Sequence, residues 1–177
     1  MSGHSKWSQI KHKKAITDGK RAKQFTKLLV AVQTAAKSDP NPDFNPRLRA
    51  AINKAKEGNV PQDNIARAIA RSKDNPTEDL IIESYGPAGT AFIIKAVTDN
   101  RNRTVSELKK LLSDNNAKFA EQGSVMWGFT QNEEGDFVPQ FSQALSENEK
   151  DKVRSLMEVV LDHPDAIDIY TNAENIS

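Results

Sequence analysis

From Asp18 onward, the apolar residues Phe25, Leu28, Leu29, Val32 and Ala36 recur at helical spacing and predict one amphipathic helix. At about 100° per residue, Lys20, Lys23 and Lys27 gather on the opposite side, which predicts a lysine stripe facing solvent. Asp39-Pro40-Asn41-Pro42 ends this segment. Asn45 before Pro46 then has the form of an N-cap followed by a first-turn proline, and Leu48, Ala51, Ile52 and Ala55 supply the buried side of a second helix. Gly58-Asn59 closes it, and Pro61 opens a third helix with Ile65, Ala68 and Ile69 inside and Arg67 and Arg71 outside.

After the linker Lys73-Asp74-Asn75-Pro76 the period shifts from helical to alternating. Ala91 to Val97, Ser124 to Phe129, Phe137 to Phe141 and Ala166 to Tyr170 read as strands. Thr104-Val105-Ser106-Glu107 and Ser146-Glu147-Asn148-Glu149 have the spacing of capping boxes ahead of two amphipathic helices. Asn132 to Asp136 is a polar turn, with Glu133, Glu134 and Asp136 expected to be solvated there. The order β-α-β, turn, β-α-β predicts an α+β chain. Residues 1–76 would form a basic helical domain with an N-terminal arm, and residues 77–177 an acidic ferredoxin-like sandwich of four antiparallel strands and two helices.

Charge adds a second division to the one drawn by periodicity. Met1 to Lys27 holds eight Lys or Arg against the single acid Asp18. Up to Pro76 there are 16 basic and 6 acidic residues, a charge of +10, and from Thr77 there are 9 basic and 18 acidic, a charge of −9. Opposite signs in the two halves predict a basic module that meets a polyanion and an acidic module with another task. The chain has no Cys, which excludes disulfides, thiolate nucleophiles and sulfur-bound zinc. No apolar stretch has the length of a membrane span, and the N-terminus lacks the apolar segment of a secretory signal, so a cytoplasmic location is expected.

Gly3-His4-Ser5-Lys6-Trp7, Ile10-Lys11-His12, Lys14, Asp18, Lys20-Arg21 and Phe25-Thr26-Lys27 closely resemble the opening of the YebC/PmpR family, which includes the mitochondrial translational activator of cytochrome c oxidase. Further resemblance follows in order at Asn45-Pro46-Arg47-Leu48-Arg49, Pro61-Gln62-Asp63-Asn64-Ile65, Tyr85-Gly86-Pro87, Thr98-Asp99-Asn100-Arg101-Asn102-Arg103-Thr104 and Gly123-Ser124-Val125-Met126-Trp127. The resemblance implies a regulator of gene expression, acting either as a ribosome-associated translation factor or as a DNA-binding transcriptional regulator. It departs from the chain at two places. Typical members resemble a three-domain protein with an acidic domain inserted after the Val125-Met126-Trp127 strand, where this chain has only the 132–136 turn. Ala88 stands where the family usually has a second glycine.

The candidate nucleic-acid-binding residues are Lys6, Trp7, Lys11, His12, Lys13, Lys14, Lys20, Arg21, Lys23, Lys27, Arg67, Arg71, Arg101 and Arg103. Fixed cations gain affinity for a polyphosphate by releasing its condensed counterions, and about five such contacts predict a log-log salt slope of roughly −3.5 on single strands or −4.5 on duplex. Trp7 offers a ring for stacking on an unpaired base, against the commoner role of packing. Arg101 and Arg103 lie in a loop where they could reach RNA, or simply stand in solvent. Tyr85 to Thr90 lacks the Gly-Lys-Ser/Thr ending of a phosphate loop and reads as a turn. The three His show no metal-ligand spacing, and no nucleophile elbow or His-Glu-x-x-His motif is present. Neither enzyme, metal, cofactor, membrane nor small-molecule substrate is expected. A Lys-rich arm without a helix-turn-helix favours rRNA or tRNA on the ribosome over a duplex DNA groove, with Asn64, Arg67 and Arg71 as the candidates for base reading if DNA is the target. A protein-interaction module indifferent to nucleic acid is the third reading.

Overall fold

A computed structural model describes residues 18–74, 77–133 and 135–176, with side chains from Arg21. Three helices open it: α1 (Asp18–Ala35), α2 (Pro46–Glu57) and α3 (Gln62–Ala70). The Asn45 side chain caps α2 by accepting from Leu48 N–H at 3.0 Å, and its own amide donates to the carbonyls of Ala35 and Asp39. One buried side chain therefore stops α1, shapes the loop and starts α2. Gly58 caps the other end, and Asn59 takes the left-handed conformation at φ 60°. Val32, Ala35, Leu48, Ala55 and Ile65 are buried together, so the apolar stripes of the three helices meet in a core of their own.

The second part is α+β, as expected, with a four-stranded antiparallel sheet and two helices packed on one face. Its strands are β1 (Glu78–Tyr85), β2 (Ala91–Thr98), β3 (Lys118–Phe119) and, at the far edge, β6 (Ala166–Thr171), in the order β3-β1-β2-β6. The helices are α4 (Arg101–Asp114) and α5 (Glu147–Asp162). The connectivity corrects the expected pair of β-α-β units. Two of the four expected strands, at 124–129 and 137–141, do not join the sheet. They contribute a 3₁₀ turn at Met126–Gly128 and a separate two-stranded ribbon, β4 (Phe129–Gln131) with β5 (Phe137–Pro139). Their places in the sheet are taken by β1 and the two-residue β3.

Alternation decides what each sheet face touches. Leu80 and Ile82 of β1, Phe92 and Ile94 of β2 and Ile169 of β6 pack with Leu108, Leu112, Val153, Leu156 and Val160 of the helices. Each such fully buried side chain contributes about 1.5–3 kcal/mol relative to exposure. The other face carries Ile93 and Tyr170, which pack under Val125, Phe129 and Phe137 of the ribbon and the loop before it. The expected capping box at Ser146 is present, with Glu149 returning to the Ser146 N–H at 2.8 Å. The one expected at Thr104 is not. Asn100 caps α4 through Arg103 N–H, and Thr104 lies buried one turn inside, bonded to Thr98 and Asp165.

Candidate nucleic-acid interface

The cations of the helical part divide by what they touch. Arg21, Lys23, Lys56, Arg67, Arg71 and Lys73 are exposed and form no ion pair among the described residues. Arg21 lies over the Phe25 ring, 5.6 Å from its centroid, which leaves its charge in solvent. Gln33 of α1 donates to the Arg71 carbonyl at 2.9 Å and holds the end of α3 beside α1. The second set turns toward the rest of the chain. Lys37 donates to the Thr77 carbonyl at 2.8 Å, Arg47 pairs with Asp79 of β1, and Lys54 pairs with Asp136.

Lys27 belongs to this second set, which corrects the expected stripe. Its ammonium donates to the Leu161 carbonyl in the last turn of α5, where the exposed carbonyl ends of a helix attract a cation. Lys23 remains outside. Lys6, Trp7, Lys11, His12, Lys13 and Lys14 lie outside the described residues, as does the side chain of Lys20.

Arg101 and Arg103 are not brought to the cationic face either. Arg101 pairs with Glu78 at 3.5 Å. Arg103 meets Asp165 at 2.7 Å, Asp99 at 3.1 Å and Glu107 at 3.9 Å. The bond to Asp165 and the surrounding acids raise its pKa above the ordinary arginine value. The buried His163 accepts from Asp165 N–H on Nδ1, which leaves Nε2 to bond Glu107 at 3.0 Å. Carboxylate oxygens of Glu107 and Asp165 and a ring nitrogen of His163 lie within 4.8 Å of one another, and the positive charge they would attract is supplied by Arg103.

Between the helical part and the sheet runs a cleft of about 510 Å³, floored by Lys95, Asp168 and Asp136 and roofed by Leu28 and Lys54. Asp136, expected in a solvated turn, is instead buried. It accepts from Lys54 and, at 2.7 Å, from the Tyr170 hydroxyl. Burial alone would raise its pKa, but the Lys54 bond and charge, the Tyr170 bond and the Lys95 charge outweigh it and bring it below the ordinary value. Lys95 donates to the Gly135 carbonyl and lies over the rings of Phe137 and Tyr170, 5.4 Å from each. Burial first, and then the charge of Lys54, lower its pKa below the usual lysine value, against the acids that raise it. The cleft is thus internally neutralised, and its cations are occupied.

A second buried acid was also invisible in sequence. Glu83, in β1, accepts from the backbone N–H of Gly123 at 2.6 Å, Val125 at 2.7 Å and Met126 at 2.8 Å. Nothing local marks Glu83 for this role, because β1 also carries Glu78, Asp79 and Ser84.

The arrangement defines a class: an α+β protein whose cationic helical part is joined to an acidic sheet unit by polar contacts across a cleft. Residues 5–75 match the family model described as TACO1/YebC protein N-terminal domain, and residues 77–134 the model described as TACO1/YebC second and third domain. The chain belongs to the TACO1/YebC family. It is 46% identical over 166 residues to a protein of Solibacter usitatus named probable transcriptional regulatory protein, covering 92% of this chain and 63% of that one. It is 41% identical over 182 residues to a protein of the same name from Trichlorobacter lovleyi, covering 97% and 70%. A crystal structure of a conserved hypothetical protein from Aquifex aeolicus superposes with a TM-score of 0.80 at 28% identity, covering 96% of this chain and 97% of that one. The chain thus spans somewhat under two thirds of the Solibacter relative's length.

Proposed function

We propose that this chain is a non-catalytic regulator of gene expression that grips nucleic acid through the exposed cations of its helical part. The observation that supports this reading is the division just described, in which Arg21, Lys23, Lys56, Arg67, Arg71 and Lys73 stay free of the protein's own carboxylates among the described residues. Lysine and arginine standing free in solvent are positioned for phosphate contacts that carry no sequence information. The arm lysines Lys6, Lys11, Lys13, Lys14 and Lys20, with Trp7 and His12, extend this surface in the proposal.

Two domains divide at 76/77 in this reading, the first binding and the second positioning it. RNA on the ribosome is favoured over duplex DNA. The candidates for base reading lie on the nine-residue α3, with Arg67 exposed, Asn64 half-buried and Arg71 at the C-cap, and Gln33 ties that end of the helix to α1. The names of the curated relatives favour transcription as the second reading, with a duplex as target. A cytoplasmic location fits both readings, and no described helix is long and apolar enough to cross a membrane.

Co-sedimentation with ribosomes over a salt series tests the proposal. Wild type is expected to sediment at low salt, and the triple variant Lys23→Glu, Arg67→Glu, Arg71→Glu is expected to remain in the supernatant. For a single-stranded RNA probe, each phosphate contact removed lowers the log-log salt slope by about 0.7. A promoter-containing duplex preferred over random duplex by about a thousandfold or more would move the assignment to transcription. Unchanged binding of the triple variant to both polymers would overturn the proposed surface.

A further inference from the structure

Five large apolar side chains are exposed among the described residues, and three of them are joined in one patch: Tyr85, Trp127 and Phe141. Trp127 is 68% exposed and Phe141 62%, with ring centroids 6.1 Å apart. An apolar patch left in water marks an interaction site when its geometry is fixed, because ordering cost is then low. Here it is fixed in three ways. The Ser124 carbonyl accepts from both the Tyr85 hydroxyl and the Trp127 indole N–H, each at 2.9 Å. The turn beneath is pinned by the buried Glu83 carboxylate through three backbone N–H groups. Gln140 N–H donates to the Gly128 carbonyl at 2.8 Å, so the segment that leads from β5 to Phe141 is tied to the 3₁₀ turn bearing Trp127.

We infer that Tyr85, Trp127 and Phe141 form a docking surface for a partner protein, and that the docked segment carries apolar side chains among Lys or Arg residues. Charge selects this occupant. Glu121 lies in the same turn as Ser124, and Glu174 is tied to Gln143, two residues from Phe141. Both are exposed and form no ion pair among the described residues. One cation, Lys118, stands opposite Tyr85. The half of the chain that bears the patch has a charge of −9. A nucleic-acid strand stacked here would bring phosphates toward Glu121 and Glu174. A second copy meeting the patch face to face would set acids against acids. A basic segment with one or two apolar anchors satisfies both the rings and their rim.

The test is selection of a random dodecapeptide phage library on the whole protein, with counter-selection on the double variant Trp127→Ser, Phe141→Ser. Fluorescence anisotropy of the synthesised, fluorescein-labelled winners follows. Enriched sequences are expected to combine Leu, Phe or Trp with Lys or Arg, and their affinity is expected to fall at least tenfold in the double variant. Phe141→Ser alone serves if the double variant does not fold, with a loss of about threefold or more. Four results would overturn the inference: no enrichment against the variant, enrichment of acidic peptides, concentration-dependent self-association that the substitutions abolish, or a decauridylate oligonucleotide whose binding they weaken tenfold.

Discussion

The Tyr170 hydroxyl donates to Asp136 at 2.7 Å, and the same carboxylate receives the Lys54 ammonium from α2. Three separate parts of the chain therefore meet on one buried carboxylate: the edge strand β6, the turn of the ribbon and the helical part. Asp136→Asn keeps the shape but removes the charge that compensates Lys54 and Lys95. A loss of about 1–3 kcal/mol at neutral pH is expected in urea unfolding. The folded carboxyl titrates below its ordinary value of 3.8, so its ionised form stabilises the fold above that pH. The gap between wild type and Asp136→Asn should therefore narrow as pH falls below about 4.

Tyr170 predicts the opposite pH window. Burial first, and then the charges of Asp168 and Asp136, push its phenol far above the ordinary value of 10.0. A group whose folded pKa is raised contributes its full stability below its unfolded pKa and loses it as pH rises further. Wild type should exceed Tyr170→Phe by about 1–3 kcal/mol near neutrality, and the difference should shrink above pH 10 or so. Parallel stability curves for the two proteins from pH 7 to 11 would refute the buried hydrogen bond.

Lys23 and Lys27 are one turn apart on α1, yet they should separate two properties. Lys27→Met removes a cation from the carbonyl end of α5, an effect on stability of about 0.3–2 kcal/mol, with ribosome binding less affected. Lys23→Met leaves stability within about 0.5 kcal/mol and weakens binding, because its charge faces solvent. Thermal unfolding and co-sedimentation, measured on the same two variants, give the comparison. Equal behaviour of the two would mean that the division of cations by contact has no functional content.

Periodicity revealed all three helices of the basic part because their apolar stripes are regular and their ends carry Asn45-Pro46, Gly58-Asn59 and Pro61. It failed where tertiary contacts override local pattern. β1 reads Glu-Asp-Leu-Ile-Ile-Glu-Ser-Tyr, with Ile81 exposed and Glu83 buried, so alternation is broken by an acid whose backbone partners lie some forty residues away. β3 is two residues long and carries no periodic signal. Lys27 sits on the polar side of its helix by spacing, but nothing local indicates that the end of α5 covers it. Asp136 looked like a turn acid because its partners are distant in sequence, Lys54 lying 82 residues before it and Tyr170 34 residues after it.

Glu83 makes a prediction about the aromatic patch. Glu83→Gln retains one acceptor oxygen but replaces the other with an amide that cannot accept, and at least one of the three N–H groups loses its partner. The expected cost is about 1–3 kcal/mol. Because the affected turn carries the carbonyl that orients Tyr85 and Trp127, near-UV circular dichroism should change as well. An unaltered aromatic spectrum together with full stability would show that the turn does not depend on this carboxylate.

The turn joining β1 to β2 holds two small residues whose exchange should have opposite effects. Gly86 is extended, and a Cβ there would overlap the ring of Phe92, which is fully buried in the main core. That ring cannot retreat without disturbing its neighbours in a close-packed interior, so Gly86→Ala should destabilise by about 1–3 kcal/mol. Two residues on, Ala88 adopts φ 58° and ψ 21°, a left-handed conformation that strains any side chain. Ala88→Gly relieves this strain while adding freedom to the unfolded chain, and the balance favours the glycine variant by about 0.5–1 kcal/mol. Urea unfolding of the two single variants should move the midpoint in opposite directions with an unchanged slope. A stabilised Gly86→Ala or a destabilised Ala88→Gly would contradict this turn geometry.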